Sequence, residues 1–211
     1  MSYQTLLDAV IKGDIDTATE ETLKAVDAGQ NAQDILDQGL IEAMNVVGDK
    51  FSKGAMFVPQ MLRSAKTMQE CVELLKPHFS ETAMVTKGKI VIGTVEGDLH
   101  DIGKNLVGMM LEGAGFNIID LGVDVAPEAF VNKIKEEKAD ILGMSALLST
   151  TMPAMTQTIK ALADSGQRDD VKVIIGGAPV TRKYAEEIGA DSYAPDAGSA
   201  VLEAKKLLNI N

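Results

Sequence analysis

A histidine and two carboxylates follow directly after an apolar segment of the sequence. Residues 89–95, Lys-Ile-Val-Ile-Gly-Thr-Val, predict a buried strand, and the loop at 97–103 behind it carries Asp98, His100 and Asp101. Open α/β sheets place their ligands at the carboxyl ends of their strands. A carboxylate that accepts the proton of one imidazole nitrogen fixes the tautomer and makes the other nitrogen a better metal ligand. Taken alone, however, the fragment is more typical of a solvated or simply hydrogen-bonded histidine than of a metal ligand.

Other kinds of site have weaker support. A zinc site with four protein ligands is poorly supported, because Cys71 is the only cysteine and His78, the only other histidine, lies in another segment. The chain contains neither a Gly-x-Gly-x-x-Gly fingerprint nor a Gly-x-x-x-x-Gly-Lys-Ser/Thr phosphate loop. A receiver-type acidic pocket stays open at this point.

The composition indicates a globular protein with an aliphatic core. The 211 residues are 45% hydrophobic and only 4% aromatic, with 11 methionines and a net charge of −11. Such an acidic chain without a Lys/Arg cluster is a poor candidate for binding nucleic acid or an anionic membrane. The single Cys71 fits a reducing compartment, and the N-terminal residues have no secretory pattern. No uncharged apolar stretch approaches the length of a membrane span, so we expect a cytoplasmic protein.

Residues 1–80 show helical periodicity and no convincing strand. The pattern predicts four helices, over about 2–11, from Asp14 or Asp16 to 29, from an Asn31 cap to about 51, and over 58–75. Short loops between amphipathic helices predict an antiparallel four-helix bundle. Residues 81–88 have no regular pattern and are predicted to be a linker.

Residues 89–211 alternate between short strands and helices. Strands are predicted at about 89–95, 117–121, 140–145, 171–176 and 191–194, with helices after each of them. Five βα units predict an α/β domain with a parallel, doubly wound, flavodoxin-like sheet. By analogy with domains of this size we expect the strand order 2-1-3-4-5, whose switch point lies between the first and third strands. The loop of His100 follows the first of these.

Three short segments at predicted strand ends carry a known signature. They are Asp98-Leu99-His100-Asp101-Ile102-Gly103, then Ser145-Ala146-Leu147, then Gly176-Gly177. Between the first and second lie 41 residues, and between the second and third lie 28. This resembles the cobalamin-binding signature Asp-x-His-x-x-Gly, Ser-x-Leu, Gly-Gly, in both motif and spacing. The segment 57–62, Phe-Val-Pro-Gln-Met-Leu, resembles the cap motif of the methyl-carrying members. The chain is thus similar, over almost its whole length, to the small corrinoid proteins of methyltransferase systems, relatives of the cobalamin module of methionine synthase.

The resemblance implies a site for cobalamin, a cobalt-containing corrinoid, bound base-off and His-on. His100 would be the lower axial ligand of the metal, and Asp98 would accept the hydrogen bond of its distal nitrogen. Ser145, Leu147 and the glycine pair would line the passage of the nucleotide tail. Ser149, Thr150 and Thr151 are more typical of helix caps than of ligand contacts, although both roles can coexist, and Asp196 is also suited to capping a helix. The predicted contacts in the sheet domain are Gly97, Asp98, Leu99, His100, Asp101, Ile102, Gly103, Ser145, Leu147, Ser149, Thr150, Gly176, Gly177, Ala178 and Asp196.

The helical half would be a cap over the free face of the corrinoid. An apolar lid there would exclude water while the carrier is idle, and the linker at 81–88 would be its hinge. The residues proposed for the lid are Phe57, Val58, Met61 and Leu62, although bundle core is the alternative role for each.

The resemblance implies a methyl carrier in one-carbon metabolism, a component of a methyltransferase system and not a complete enzyme. Its partners would be a substrate-specific corrinoid methyltransferase, a second methyltransferase with tetrahydrofolate or a thiol as acceptor, and a reductive activation protein. The donor stays open between methanol, methylamines and methoxylated aromatics. A cobalamin-dependent regulator or sensor is the alternative, although we see no output domain. The small subunit of a radical mutase fits less well, because those subunits lack such a cap.

Overall fold

Residues 3–78 and 86–210 are described by the computed structural model, and most of the predicted linker lies outside them. The chain divides into two units: the described residues up to Thr86 together with Gly113–Gly115, and Lys87–Glu112 with Phe116 onward. The predicted class, a helical part followed by a five-stranded α/β part, is confirmed. In the two described ranges no helix combines the length and the apolar character that a membrane span requires.

The first unit consists of helices at the four predicted places. Their bounds are α1 Gln4–Lys12, α2 Ile15–Asp27, α3 Ala32–Ile35, a π-helical turn at Leu36–Ile41, α4 Glu42–Ser52, α5 Val58–Leu75 and a 3₁₀ turn at Lys76–His78. Of the two candidate caps for α2, Asp14 is the one used, since its carboxylate accepts the amide of Thr17 at 3.2 Å. Asn31 caps α3 as predicted.

The third predicted helix is not uniform. A π-helical turn separates α3 from α4, and Gly39 lies within this turn. A Cβ at Gly39 would come within 2.8 Å of the Leu6 side chain, so the glycine allows a close approach to α1. Hydrophobic periodicity continues through such a turn, which explains why the sequence predicted one continuous helix.

The second unit contains a parallel sheet in the predicted order. The described residues form five strands, arranged β2-β1-β3-β4-β5. Their bounds are β1 Lys89–Thr94, β2 Asn117–Asp120, β3 Ile141–Ser145, β4 Lys172–Gly176 and β5 Ser192–Ala194. The register aligns Thr94, Ser145, Gly176 and Ala194, so four strands end in one row. The loops that carry the three motif segments therefore leave the sheet side by side.

Helices connect the strands and cover the sheet. They are α6 Ile102–Gly113, α7 Pro127–Glu137, α8 Pro153–Asp164, α9 Arg182–Ile188 and α10 Ala197–Leu207. The core of this unit is mostly aliphatic and includes two buried aromatic side chains, Phe116 and Phe130, of which Phe130 is completely buried. Gly93 in β1 faces Phe130, and a Cβ there would lie 2.7 Å from the ring. The centre of the sheet is therefore packed around a rigid aromatic side chain below the predicted site.

Candidate functional site

The loop after β1 is folded back by its own backbone. The amide of Asp98 donates to the carbonyl of Val95 at 3.1 Å, and Gly97 between them has a left-handed φ of 80°. The buried hydroxyl of Thr94 donates to the carbonyl of His100 at 2.8 Å. These contacts return the chain to the end of β1, so His100 stands at the strand end as predicted.

The imidazole of His100 is held from one side and open on the other. Its Nδ1 donates to Oδ1 of Asp98 at 2.7 Å, and the carboxylate of Asp98 is completely buried. The side chain of His100 is 51% exposed. Its Nε2 forms no hydrogen bond within the ranges that the structure describes. A neutral imidazole in this tautomer presents the lone pair of Nε2 outward, the arrangement in which histidine binds a metal.

Asp98 is the most heavily bonded side chain of the site. Its Oδ2 accepts the hydroxyl of Thr151 at 2.7 Å and the amides of Leu147 at 2.7 Å and Leu148 at 3.3 Å. Its Oδ1 accepts both the ring and, at 3.1 Å, the amide of His100. Because Thr151 and the two leucines follow β3, the carboxylate ties the loops of two neighbouring strands together.

These contacts determine the ionisation of Asp98. Burial by itself raises the pKa of the carboxyl, since it disfavours the charged form. The hydrogen bonds act in the opposite direction, first that of the Thr151 hydroxyl, then that of the Leu147 amide and then the two from His100. Together they hold the pKa of Asp98 well below its usual range. The carboxylate therefore stays ionised, and the shared proton stays on Nδ1 of His100.

Exposed apolar side chains flank His100 in the sequence, and two more follow β3. Leu99 and Ile102 are 71% and 84% exposed, and Leu147 and Leu148 are also exposed. Large exposed apolar side chains at the carboxyl ends of neighbouring strands are typical of a ligand-binding surface. A single imidazole beside such a surface suits a metal whose other ligands belong to a flat macrocycle. In the part of the chain that the structure describes, no three His, Cys, Asp or Glu side chains converge on a metal position.

Gly97 and Gly103, at the two ends of the loop, differ in why a glycine is present. Gly97 needs its left-handed φ. Gly103 has no positive φ, and a Cβ there would meet nothing within 4 Å. The protein's own packing thus gives no reason for a glycine at 103, whereas a ligand lying against the start of α6 would.

The glycine pair at the end of β4 is required by the packing of the protein itself. A Cβ at Gly177, whose φ is 123°, would come within 1.8 Å of the carbonyl oxygen of Ala146. A Cβ at Gly176 would lie 2.9 Å from the carbonyl oxygen of Ala194. The amide of Ala146 also donates to the carbonyl of Gly176 at 3.2 Å. Gly177 therefore interlocks the loops after β3 and β4, a role that the sequence did not reveal. Ala178 follows in the same loop.

The hydroxyl residues after β3 divide into free and engaged ones. Ser145 ends β3 half-buried, and its hydroxyl forms no hydrogen bond within residues 3–78 and 86–210. Ser149 and Thr150 are exposed, and neither caps α8, because its N-cap residue is Met152.

Asp196 does cap a helix, accepting the amide of Ser199 at 2.8 Å at the start of α10. Its carboxylate is therefore already engaged. Asp101 is half-buried and accepts the side-chain amide of Asn105 at 3.1 Å.

The four residues predicted for the lid differ in exposure. Phe57 is 72% exposed, and Val58 and Leu62 are also exposed. Met61, in contrast, is completely buried. The backbone amide of Phe57 donates to the side chain of Gln60 at 3.0 Å, which fixes the start of α5. Three of the four residues thus offer apolar surface, and Met61 belongs to the core.

Sequence reasoning missed three residues of this region. For Thr151 the sequence favours a helix cap and gives no sign of the contact that its hydroxyl makes with Asp98. Lys104 is buried and pairs with Asp120, and its ammonium also donates to Asn105 at 2.7 Å. Asp124 contacts the loop of His100 from the loop after β2. Thr151 stands in a run of three hydroxyl residues, and only the folded loop distinguishes it from its neighbours.

The comparisons with known proteins indicate a corrinoid cofactor. Residues 88–203 match a family model described as a B12 binding domain, and residues 3–76 match a second model with the same description. A corrinoid protein of Desulfitobacterium hafniense is 44% identical over 96% of this chain and 95% of its own length. Dimethylamine corrinoid protein 1 of Methanosarcina acetivorans is 44% identical over 99% of this chain and all of its own. The crystal structure of the methanol:cobalamin methyltransferase complex MtaBC from Methanosarcina barkeri matches with a TM-score of 0.89 and 31% identity, over 98% of this chain and 79% of that one.

Proposed function

The chain belongs to the B12-binding corrinoid proteins of methyltransferase systems, and from this premise we propose that it is a methyl carrier. Its cofactor is a corrinoid. In this proposal the protein receives a methyl group from one methyltransferase and delivers it to a second one. It holds and protects the reactive group and leaves substrate conversion to its partners.

The observation that carries the proposal is the half-exposed imidazole of His100 behind the buried Asp98. When bound, the corrinoid supplies a cobalt ion that accepts and releases the methyl group. His100 would bind this metal through Nε2, in the base-off, His-on state. Asp98 keeps the proton on Nδ1 and fixes the direction of the ring. Thr151 and the Leu147 amide keep Asp98 ionised, so that it continues to accept the Nδ1 proton and makes Nε2 a stronger donor.

The surrounding residues fit the rest of the corrinoid. Leu99 and Ile102 offer apolar contact to a flat ring, and the open position beside Gly103 leaves room for it. The free hydroxyl of Ser145 would hydrogen-bond to the buried base of the nucleotide tail. The Ala146 carbonyl occupies the position that a Cβ at Gly177 would take. The nucleotide tail would therefore not pass through the space beside Gly177.

Phe57, Val58 and Leu62 would form the lid over the free face of the corrinoid. All three are apolar and exposed, and burying their surface against a ligand would be favourable. An apolar cover excludes water and dioxygen from the reactive face. We propose residues 1–80 as the cap domain and 81–88 as the hinge that lets a partner reach the same face.

The partners in this proposal are a substrate-specific corrinoid methyltransferase, a second methyltransferase acting on tetrahydrofolate or a thiol, and a reductive activation protein. The names of the relatives include dimethylamine and methanol. We therefore assign recognition of the donor to the first partner and expect this chain to accept the methyl group whatever its source.

The axial ligand provides the decisive experiment. The protein is loaded with cob(II)alamin, and its electron paramagnetic resonance spectrum is compared with those of His100→Ala and His78→Ala. His78, the other histidine, lies in the first unit and is the matched control. We expect hyperfine splitting from an axial nitrogen in the wild type and in His78→Ala, and its loss in His100→Ala.

Methyl transfer is then measured with candidate donors and a partner methyltransferase. A wild-type spectrum without axial nitrogen, or an unchanged spectrum in His100→Ala, would remove His100 as the ligand. A loaded protein that accepts no methyl group from any partner would contradict the carrier function.

A further inference from the structure

Asp124 has a backbone conformation that calls for a specific explanation. It follows β2 and has a φ of 54°, in the left-handed region that side chains rarely adopt. Among the described residues, only Lys138 and Asn209 share this property without being glycine. Those two stand at the ends of α7 and α10, where a left-handed residue is common. Asp124 lies in a loop between a strand and a helix, so helix termination does not explain it.

The contacts of Asp124 supply the reason. Its Oδ1 accepts the amide of Gly97 at 2.7 Å, and its own amide donates to the carbonyl of Asp98 at 3.0 Å. One residue thus holds the Gly97–Asp98 segment at both of its ends, through the amide of Gly97 and the carbonyl of Asp98. The left-handed conformation allows its amide and its side chain to reach the same segment.

Asp98 is consequently held from two neighbouring strand ends. Its carboxylate is bonded by Leu147 and Thr151 from the loop after β3. Its backbone carbonyl is bonded by Asp124 from the loop after β2. Since β1 lies between β2 and β3 in the sheet, the residue that orients His100 is fixed on both flanks.

We propose that Asp124 is a positioning residue for the cofactor ligand, acting on His100 through Asp98. The inference rests on the proposed function and identifies a residue that tunes it. Asp124 is exposed, so its charge is well screened and its effect is geometric. Without its side-chain acceptor, the turn at Gly97 loses an anchor. The Glu96–Gly97 peptide unit can then rotate, which loosens the placement of Asp98. The Asp98–His100 hydrogen bond is then made only part of the time.

Three variants separate this role from simple loop stability. Asp124→Asn keeps a carbonyl oxygen as acceptor and tolerates the left-handed conformation. Asp124→Gly keeps the conformation and removes the acceptor. Lys138→Gly, at another left-handed position, is the matched control. Thermal melts show whether each variant is folded. If Asp124→Gly does not fold, Asp124→Ala removes the same acceptor and takes its place.

The first readout needs no cofactor. Ring ¹⁵N shifts report which nitrogen of an imidazole carries the proton, and the chain has only His78 and His100. We expect the Nδ1–H form of His100 to dominate in the wild type, Asp124→Asn and Lys138→Gly. In Asp124→Gly its share should fall several-fold, while the signals of His78 stay unchanged as an internal reference.

The second readout is affinity for cob(II)alamin together with the axial-nitrogen signal. Removing a residue that orients a metal-bound histidine costs 10- to 100-fold in metal affinity, and we expect about 10-fold for Asp124→Gly because it acts at one remove. A wild-type ring population and affinity in Asp124→Gly would overturn the inference while leaving the carrier function intact. If the wild type shows no axial nitrogen, the proposed function fails, and the ring population in the cofactor-free protein still decides the role of Asp124.

Discussion

Thr151 and Asp98 stand 53 positions apart in the sequence, yet the hydroxyl of Thr151 donates to Oδ2 of Asp98 at 2.7 Å. The contact joins the loop after β3 to the loop that carries His100. It is also the strongest of the hydrogen bonds that lower the pKa of Asp98. The orientation of the histidine therefore depends on a residue far from the motif in which it was recognised.

Replacing Thr151 with valine should raise the pKa of Asp98 toward its ordinary value. Valine has nearly the same shape but no hydroxyl, so the buried carboxylate loses its strongest donor. The free energy of unfolding should fall by about 1.5–3 kcal/mol, the contribution of a hydrogen bond to a charged group. Denaturant unfolding at neutral pH measures the loss. Thr151→Ser keeps the hydroxyl and should recover most of it; equal destabilisation by serine would point to the methyl group instead.

Asp98→Asn should remove a pH-dependent part of the stability. The native pKa of Asp98 lies below its ordinary value of 3.8, so the carboxylate stabilises the native state fully above that value. This contribution is lost as the pH falls below 3.8 toward the lowered pKa. The difference in unfolding free energy between wild type and Asp98→Asn should thus be constant near neutrality and shrink below about pH 4. A difference that does not change between neutral pH and pH 3 would contradict the ionised state of Asp98.

Gly103→Ala should leave the protein stable and weaken corrinoid binding. The new methyl group meets no protein atom, so the unfolding free energy should change by no more than about 0.5 kcal/mol. If the corrin lies against this position, overpacking should cost about 1–3 kcal/mol of binding free energy, or roughly 10- to 100-fold in affinity. Titration with cobalamin measures the change, and undiminished binding would show that the ring lies elsewhere.

Gly177→Ala should have the opposite signature. Its Cβ would collide with the Ala146 carbonyl, and its φ of 123° disfavours any side chain. The protein should lose about 3 kcal/mol or more of stability whether or not the corrinoid is present. Unfolding of the cofactor-free protein tests this directly. A stable Gly177→Ala protein that only fails to bind the corrinoid would return this glycine to the tail passage.

Phe57→Ala and Met61→Ala should separate the lid from the bundle core. Phe57 is exposed, so its removal should change stability by about 0.5 kcal/mol or less, while the reduced corrinoid should be oxidised faster in air-equilibrated buffer. Met61 is buried, and its truncation should cost about 2–5 kcal/mol of stability. Oxidation that is no faster in Phe57→Ala would argue against a protective lid at this residue.

The sequence predicted the features that depend on local patterns. Alternating strands and helices indicated the parallel sheet and its order, because short connections leave few topologies. Asp98 and His100 lie two positions apart, and their hydrogen bond follows from that spacing and the turn at Gly97. Caps such as Asn31 were visible because they act on the following turn.

The features that escaped prediction depend on contacts between distant segments. Nothing local distinguishes Thr151 from Thr150, or Asp124 from any other loop aspartate. Met61 and Leu62 belong to one apolar stripe, and which of them faces the core is decided by the packing of the other helices. The close contact of Gly177 with Ala146 likewise arises only when two loops meet.

The two edges of the sheet have a consequence for the behaviour of the protein at high concentration. β2 and β5 are the outermost strands, with only four and three residues. Unpaired backbone groups along an edge strand are a template on which another chain can add a strand, the first step toward aggregation. Edges this short offer little template, whereas the longer strands β1 and β3, which position His100 and its partners, are paired on both sides. The strand lengths that place the candidate site at the centre of the sheet thus also disfavour intermolecular β-pairing.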